Sequence, residues 1–377
     1  MEYSEKIMQQ NKKRALIMAG GTGGHVIPGL EIAAALRSQN YEIAWLGTKA
    51  GLEATLVPKQ NIKMYFIPVW GLRGKKWAEK LLSPFKILAA IIYSLYILIK
   101  FKPSFVLGMG GFASGPGGIA AWLLRVPLII HEQNAIFGMT NKILSRFSKK
   151  VLVSFPDLAA LNTAKLIYTG NPVRSEILNL AEPKERWQQR VGSLRVLVLG
   201  GSRGALIFNN TVPRAVAQLP VSQRPDIWHQ SGNEYFNLTT ENYAKYGLKA
   251  KVEPFIHDMA QAYSWADLVI ARAGALTVAE LASAGLPALL IPYPYATDDH
   301  QSQNAAYLVN NNAAIMLPQK ELNHEVLAKI LLDLINSRPR LLEMAKAARK
   351  LSMFDATANI IKHCQEVSKE VSADEAY

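Results

Sequence analysis

The sequence predicts an α/β protein made of two Rossmann-like domains, each containing a parallel sheet. Three observations support this prediction. A unit of apolar strand, glycine-rich loop and helix occurs twice, with its first glycine at Gly20 and again at Gly200. Other short apolar runs alternate with helix-like segments, as a parallel sheet requires. The chain has 377 residues, of which 50% are hydrophobic and 19% charged, which is enough apolar material for two cores.

The N-terminal half begins with an apolar run at residues 16–19, which ends in the glycine loop Gly20-Gly21-Thr22-Gly23-Gly24-His25. A helix-forming stretch follows at 31–37. Four further buried strands are predicted, at residues 43–46, 105–107, 128–130 and 151–153.

The C-terminal half repeats this pattern. Its first apolar run, 194–199, ends in Gly200-Gly201-Ser202-Arg203-Gly204-Ala205, and further strands are predicted at 268–271 and 288–291. We place the domain boundary near residues 171–174 or in the polar stretch 182–193.

Glycine loops between strand and helix bring backbone N–H groups close to anions. No G-x-x-x-x-G-K-[ST] motif is present, which excludes a P-loop NTPase, and neither repeated loop matches the G-x-G-x-x-G pattern of dinucleotide sites. The segment 108–118 has six glycines in eleven positions, which predicts close backbone contact with a ligand; a flexible connection is the alternative.

His25 ends the first glycine loop and is our candidate general base, because an imidazole suits proton removal from a sugar hydroxyl at neutral pH. The alternative is a histidine that only hydrogen-bonds to backbone at a helix start. His131-Glu132-Gln133-Asn134 follows the strand 128–130, at the edge where open α/β sheets bind ligands.

A second polar cluster follows the strand 268–271. There, residues 272–280 open a helix whose N-terminal N–H groups could hold phosphate, and Glu280 could accept ribose hydroxyls. Asp298-Asp299-His300-Gln301 is polar too, but adjacent carboxylates seldom point at one ion, and no D-x-D or H-E-x-x-H motif is present. We expect no metal site and no cofactor.

Charge is concentrated in residues 71–102, which carry seven Lys or Arg and one acid, or +6 of the formal net charge of +13. The apolar side chains between these charges predict contact with an anionic membrane surface, whereas we interpret 87–99 as a core helix. Nucleic acid is the competing partner, but its motifs are absent, so we expect none. The predicted membrane contacts are Trp77, Leu81, Leu82 and Phe85.

Localisation follows from three features of the sequence. The N-terminus lacks the apolar region of a secretory signal, and the longest uncharged apolar run has 13 residues, which is short for a span. Cys364 is the only cysteine, which excludes an intramolecular disulfide framework. We therefore expect a cytoplasmic protein rather than an integral membrane protein.

Six blocks together resemble the MurG family, the bacterial N-acetylglucosaminyltransferases that convert lipid I to lipid II in peptidoglycan synthesis. They lie in the family's order, at residues 20–29, 108–118, 131–134, 170–174, 200–205 and 274–280. The resemblance implies a GT-B fold, with two Rossmann-like domains facing a cleft, inverting transfer and no metal ion. It implies an acceptor and membrane-associating domain at 1–172, a UDP-GlcNAc domain at 173–349, and a final segment, about 350–377, that returns to the first domain.

The resemblance also implies the substrates, the neighbours and the donor-binding residues. The donor is UDP-GlcNAc, the acceptor is lipid I at the cytoplasmic face of the bacterial inner membrane, and proteins of cell-wall synthesis and division are expected neighbours. The implied donor-binding residues are Thr22, Gly23, Gly24, Asn134, Arg174, Ser202, Ile256, Ala275, Leu276, Thr277, Val278, Ala279, Glu280 and Gln301.

Two departures from the family pattern concern the glycine loops: Arg203 replaces a more usual Gln, and Phe112 replaces a frequent Tyr. The alternatives are another GT-B enzyme with a different lipid acceptor, a UDP-sugar epimerase, and a membrane scaffold that senses UDP-sugar without turnover. Consumption of the donor when acceptor is present distinguishes them.

Overall fold

The structure is a computed structural model that describes residues 13–21, 23–68, 83–159, 164–188 and 190–374. The described residues form two compact units. Unit 1 contains those up to Pro172 together with those from Asp355 onward, and unit 2 is Val173–Phe354.

Unit 1 is built on a seven-stranded parallel sheet. Its strands are Arg14–Met18 (β1), Glu42–Gly47 (β2), Lys63–Phe66 (β3), Phe105–Gly108 (β4), Leu128–Glu132 (β5), Lys150–Val153 (β6) and Leu166–Tyr168 (β7). Their order in the sheet is β3-β2-β1-β4-β5-β6-β7. The first strand pairs with β2 on one side and with β4 on the other, so the order of the strands reverses at β1. A reversal of this kind leaves a crevice at the carboxyl ends of the strands, where α/β proteins bind ligands.

Helices cover both faces of this sheet, and buried aliphatic side chains form a cluster on each face. The last helix of the chain adds Ile360, Ile361, Cys364 and Val367 to one of these clusters. The unit 1 helices are Gly23–Ser38, Glu53–Lys59, Ser83–Phe101, Ser114–Leu123, Met139–Leu144, Pro156–Ala159 and Ala356–Asp374.

Unit 2 has a six-stranded parallel sheet. Its strands are Arg195–Leu199 (β8), Asp226–Gln230 (β9), Ala250–Glu253 (β10), Leu268–Ala271 (β11), Ala288–Leu290 (β12) and Ala314–Met316 (β13). Their order in the sheet is β10-β9-β8-β11-β12-β13. Its α-helices are Ser175–Leu178, Pro183–Gln188, Leu206–Gln218, Phe236–Lys245, Met259–Trp265, Ala275–Ala284, His300–Val309, His324–Ile335 and Arg338–Lys350, and its 3-10 turns are Val221–Gln223, Asn233–Tyr235, Thr297–Asp299 and Gln319–Glu321.

The predicted fold class is confirmed, because every strand pairing between the described residues of both units is parallel. The polar and glycine-rich segments singled out in the sequence follow the carboxyl ends of β1, β4, β5, β8 and β11. Within each unit, the topology therefore gathers these segments at one edge of the sheet.

Candidate functional site

The first glycine loop of unit 1 is fixed by a buried carboxylate. The Gly21 N–H donates to Glu53 Oε2 at 3.0 Å, and Glu53 Oε1 accepts from the backbone N–H and the hydroxyl of Thr48 at 2.9 and 2.8 Å. Gly21 has φ +96°, a conformation that favours glycine. The helix Gly23–Ser38 starts directly after this loop, so the N–H groups of Gly23 and Gly24 lie in its first turn. Thr22 lies outside the described residues.

The middle glycine segment, 108–118, packs against protein at several positions. A Cβ on Gly110 would lie 3.0 Å from His25 Cε1, and one on Gly111 would lie 2.2 Å from the Gly20 carbonyl oxygen. The space that a Cβ would occupy at Gly117 or Gly118 is likewise filled by side chains of the unit 1 core. The prediction that this segment needs glycine for contact with a ligand is therefore incomplete, because close approach of the chain to itself accounts for these four positions.

His25 is held by a side chain from the polar segment after β5. Its Nδ1 lies 2.9 Å from Gln133 Oε1, and its ring packs on Gly110. The ring is half-buried, so part of it remains accessible from solvent. This contact contradicts the alternative in which His25 hydrogen-bonds only to backbone.

The segment His131-Glu132-Gln133-Asn134 is mostly interior. The first three side chains are buried, and only Asn134 is half-buried. Glu132 accepts from the backbone N–H groups of Asn134 and Gly138, both at 3.0 Å, and from Asn141 Nδ2 at 2.9 Å. The segment follows β5 at the edge where α/β sheets bind ligands, but the network orders the loop and leaves Asn134 as its most accessible member.

The glycine loop of unit 2 is built by close approach of two backbone segments. A Cβ on Gly204 would lie 1.8 Å from the Ser231 carbonyl oxygen, and one on Gly232 would lie 2.1 Å from the Arg203 carbonyl oxygen. Gln230 ties this loop to a second one, because its Nε2 donates to Gly201 O at 2.8 Å and its Oε1 accepts from the Ile256 N–H at 2.9 Å. Ser202 is left exposed at the tip of the loop.

The helix Ala275–Ala284 begins after Gly274 in extended conformation. The N–H groups of Ala275, Leu276 and Thr277 lie in its first turn and have no partner within the helix, which makes this end suitable for an anion. Leu276, Thr277 and Ala279 are half-buried, whereas the Val278 side chain is buried and can contribute only backbone atoms.

Glu280 accepts hydrogen bonds from both Arg174 and Tyr263, and the sequence analysis did not single out Tyr263. Arg174 Nη2 donates to Glu280 Oε1 at 3.0 Å, and the Tyr263 hydroxyl donates to Glu280 Oε2 at 2.8 Å. Glu280 is 6% exposed. Burial, with the adjacent Glu280 charge, raises the pKa of Tyr263 well above its usual value, so its hydroxyl keeps its proton as the donor.

Gln301 and Arg272 hold the loops around that helix. Gln301 Oε1 accepts from the backbone N–H groups of Ala273 at 3.2 Å and Tyr293 at 2.9 Å. Arg272 donates to the carbonyl oxygens of Ile291 and Pro292. Burial lowers the pKa of Arg272 to about 10, so this guanidinium still carries its charge at neutral pH.

Of the predicted catalytic and donor-binding residues, His25, Gly23, Gly24 and Asn134 lie in unit 1, and the other described ones lie in unit 2. Sequence reasoning missed Glu53, Gln230 and Tyr263 and gave no separate role to Gln133. A buried polar residue whose partner is distant in sequence leaves no local pattern.

The two residues that depart from the family pattern, Arg203 and Phe112, both have exposed side chains. Within the described ranges, no three His, Cys, Asp or Glu side chains converge on a possible metal position.

The basic, apolar segment is only partly described: Trp77, Leu81 and Leu82 lie outside the described residues. Phe85 is 71% exposed at the start of the helix Ser83–Phe101. The interpretation of 87–99 as a core helix is wrong for one face, since Ile92 is 58% and Ile99 59% exposed, while Ile97 and Leu98 are buried. Pro84–Phe101 is long and apolar enough to cross a membrane, but one such helix among the described residues is weak evidence for a span.

Comparison with known proteins gives the family. Residues 15–153 match the glycosyltransferase family 28 N-terminal domain, and residues 195–360 match the glycosyltransferase family 28 C-terminal domain. The chain is 50% identical over 357 residues to the UDP-N-acetylglucosamine--N-acetylmuramyl-(pentapeptide) pyrophosphoryl-undecaprenol N-acetylglucosamine transferase of Marinobacter nauticus, covering 95% of this chain and 98% of that one. The same enzyme of Nitrosococcus oceani is 49% identical, with 94% and 99% covered.

Among solved structures, MurG of Acinetobacter baumannii is similar to this chain with a TM-score of 0.80 and 39% identity, covering 94% of this chain and 99% of that one. The similarity extends over both Rossmann-like units and identifies the fold as GT-B. With both domain models matched and the relatives aligned over nearly their full length, the chain belongs to glycosyltransferase family 28 and, within it, to the MurG family.

Proposed function

We propose that this protein transfers N-acetylglucosamine from UDP-GlcNAc to the C4 hydroxyl of N-acetylmuramic acid in lipid I, with inversion, giving lipid II for peptidoglycan synthesis. The observation that carries this proposal is the identity of about half of all residues, over nearly the whole chain, with transferases named for that reaction. The geometry adds a half-buried histidine in the first turn of the helix Gly23–Ser38 of unit 1 and, in unit 2, the start of the helix Ala275–Ala284, whose first N–H groups suit an anion.

In the proposed mechanism, His25 takes the proton of the acceptor hydroxyl as its oxygen attacks the anomeric carbon of the donor. The bond from that carbon to the UDP oxygen breaks, and the diphosphate leaves with the electron pair. Arg174 and the first-turn N–H groups of Ala275 and Leu276 stabilise its charge without a metal ion. Glycine-loop N–H groups and Ser202 complete this anion site.

The remaining predicted residues hold the nucleoside and the sugar. Glu280 can accept from ribose hydroxyls because Arg174 and Tyr263 occupy one acceptor position on each carboxylate oxygen and leave others open. Gln301 turns its Oε1 to the backbone, so its amide Nε2 is the group for donor-sugar hydroxyls. The proposed donor set also includes Thr22, Gly23, Gly24, Asn134, Ile256, Thr277, Val278 and Ala279.

The test is a transfer assay with a lipid I analogue, EDTA in the buffer, and UDP-GlcNAc, UDP-GalNAc or UDP-glucose as the donor. We expect a disaccharide product from UDP-GlcNAc and little from the others. UDP-GlcNAc that protects the protein against heat without any transfer would indicate a family 28 enzyme with another acceptor. Donor hydrolysis or epimerisation without acceptor would contradict the proposal.

We further propose that the protein binds the cytoplasmic face of the inner membrane peripherally, near the enzymes of cell-wall synthesis and division. The helix Ser83–Phe101 lies within the basic segment 71–102, and its exposed apolar face includes Phe85, Leu88 and Ile92. Two basic residues, Lys100 and Lys102, lie at its C-terminal end. Apolar side chains beside basic ones are what an anionic bilayer surface binds.

We predict that the triple variant Phe85→Ser, Leu88→Ser, Ile92→Ser loses binding to anionic vesicles by about tenfold or more, because three exposed apolar groups no longer enter the interface. Vesicle sedimentation measures the loss. The matched control replaces three exposed apolar residues of unit 2, Val191, Val221 and Leu238, with Ser.

The control should bind vesicles like the wild type, and both triple variants should keep their melting temperature because the replaced side chains are exposed. Equal binding by both triple variants and the wild type would contradict the assignment of this surface. Membrane-bound protein that resists extraction at high pH and high salt would contradict peripheral attachment.

A further inference from the structure

A chain of hydrogen bonds inside unit 1 determines which nitrogen of His25 carries a proton. The chain starts at His131, whose Nε2 lies 3.0 Å from the Gly170 carbonyl oxygen. A carbonyl oxygen only accepts, so Nε2 of His131 is the protonated nitrogen. The His131 side chain is completely buried, and desolvation lowers its pKa to about 4, so the ring is neutral and its Nδ1 carries a lone pair.

Gln133 is the next member of the chain, and its amide orientation is determined by its neighbours. Its Nε2 lies 3.2 Å from the His131 carbonyl oxygen and 3.0 Å from His131 Nδ1. Both of these atoms accept, so the amide nitrogen faces them and Oε1 faces the other way. That Oε1 lies 2.9 Å from His25 Nδ1.

An amide oxygen cannot donate, so the proton of a neutral His25 resides on Nδ1 and its Nε2 carries the lone pair. Neighbouring groups hold the arrangement: Asn171 Nδ2 donates to the Gln133 carbonyl oxygen at 3.0 Å, and Gly110 closes off one side of the His25 ring. Gln133 is 1% exposed, so water does not compete for its amide.

We propose that Gln133, oriented by His131, is a positioning residue that holds His25 in the tautomer with a free Nε2, ready to accept the proton of the acceptor hydroxyl. This inference rests on the proposed role of His25 as the general base. When the hydroxyl proton moves to Nε2, the imidazolium keeps its Nδ1–H bond to Gln133 Oε1 and later releases the new proton to solvent. The second nitrogen of a base histidine is commonly oriented in this way, elsewhere by a carboxylate.

Nitrogen NMR on the full-length protein, labelled with ¹⁵N-histidine, tests the tautomer directly. Spectra are recorded near pH 9, where unperturbed histidines are neutral, and the His25 signals are identified by their absence from His25→Ala. We expect a protonated Nδ1 and an unprotonated Nε2 on His25, and the opposite pattern on His131. A wild-type His25 with its proton on Nε2 would overturn the proposal, whatever any variant does.

The variant Gln133→Met tests the catalytic consequence. Without the Oε1 acceptor the His25 tautomers mix, and kcat falls by about tenfold, the factor expected for one hydrogen bond, while the KM for UDP-GlcNAc stays the same. An unmixed His25 pattern in Gln133→Met would overturn the proposal.

Asn141→Leu is the matched control, because it removes a buried amide that donates to the His131 carbonyl oxygen and to Glu132 but does not contact the His25 nitrogen. It should lower the melting temperature without mixing the His25 tautomers. Mixing in this control as well would show general loosening of the loop and overturn the specific role of Gln133. If His25→Ala retains full turnover while the predicted tautomers are observed, the base assignment fails and the tautomer assignment stands.

Discussion

His25→Ala is expected to lower kcat by about 10² to 10⁴ while leaving the affinity for UDP-GlcNAc nearly unchanged. The variant removes the proton acceptor but leaves the helix start at Gly23 and the anchor of the loop at Glu53. The loss should therefore appear in the chemical step. Single-turnover kinetics with saturating donor and a lipid I analogue measures it.

The control for this variant is His324→Ala, which changes a histidine at the start of the helix His324–Ile335 in unit 2, where its ring contacts Gln218 and Glu325 and neither is a proposed site residue. It should turn over like the wild type. A His25→Ala enzyme with wild-type kcat would remove His25 from the mechanism, and a rise in the donor Kd with unchanged kcat would make it a binding residue.

Glu280→Ala is expected to weaken UDP-GlcNAc binding by about 10- to 100-fold, the range for hydrogen bonds to a charged group. The variant removes the proposed ribose acceptor and also leaves Arg174 and Tyr263 without the carboxylate that they now contact. Calorimetric titration with UDP-GlcNAc measures the affinity, and thermal unfolding reports the accompanying loss of stability.

Tyr263→Phe separates these two contributions, because it removes only the hydroxyl that donates to Glu280 Oε2. We expect it to lower the melting temperature but to change donor affinity by less than about tenfold. Glu280→Ala with wild-type affinity would show that the carboxylate is structural and would shift the nucleoside site elsewhere in unit 2.

The strands that the sequence predicted and those that it missed differ in their position in the sheets. The predicted strands β1, β2, β4, β5 and β6 are interior strands of the unit 1 sheet, and their residues are almost all buried. The edge strands β3 and β7 were missed because, among the described residues, each pairs on one side only, and their short sequences, KMYF and LIY, contain no buried residue. A strand that is buried on both faces has a continuous apolar sequence that can be recognised, whereas an edge strand need not have one.

The missed strand β9 shows a different limit. Its sequence DIWHQ is buried over four of five residues, yet it includes His229 and Gln230, so it does not appear as an apolar run. Burial lowers the pKa of His229 to about 3, which keeps this interior ring neutral. Interior polar residues of this kind are recognisable only once their partners are known.

The residues of the candidate site likewise differ in how recognisable they are from the sequence. His25, Glu280 and the glycine loops were proposed from the sequence because glycine-rich or polar residues that follow a strand form a local pattern, and their roles stay predictions. Gln133 and Tyr263 gained their roles only from the structure, because their contacts join residues that are distant in sequence. The glycine segment 108–118 was visible but incompletely interpreted, since composition does not tell whether a glycine faces a ligand or, like Gly110 and Gly111, its own chain.

The most direct test of the central claim is the structure of the product formed from UDP-GlcNAc and a lipid I analogue, determined by mass spectrometry and proton NMR. We predict one added N-acetylglucosamine, joined through a β-linkage to the C4 oxygen of the muramic acid residue. An α-linkage, a different attachment position, or an unchanged acceptor after complete consumption of the donor would contradict the account.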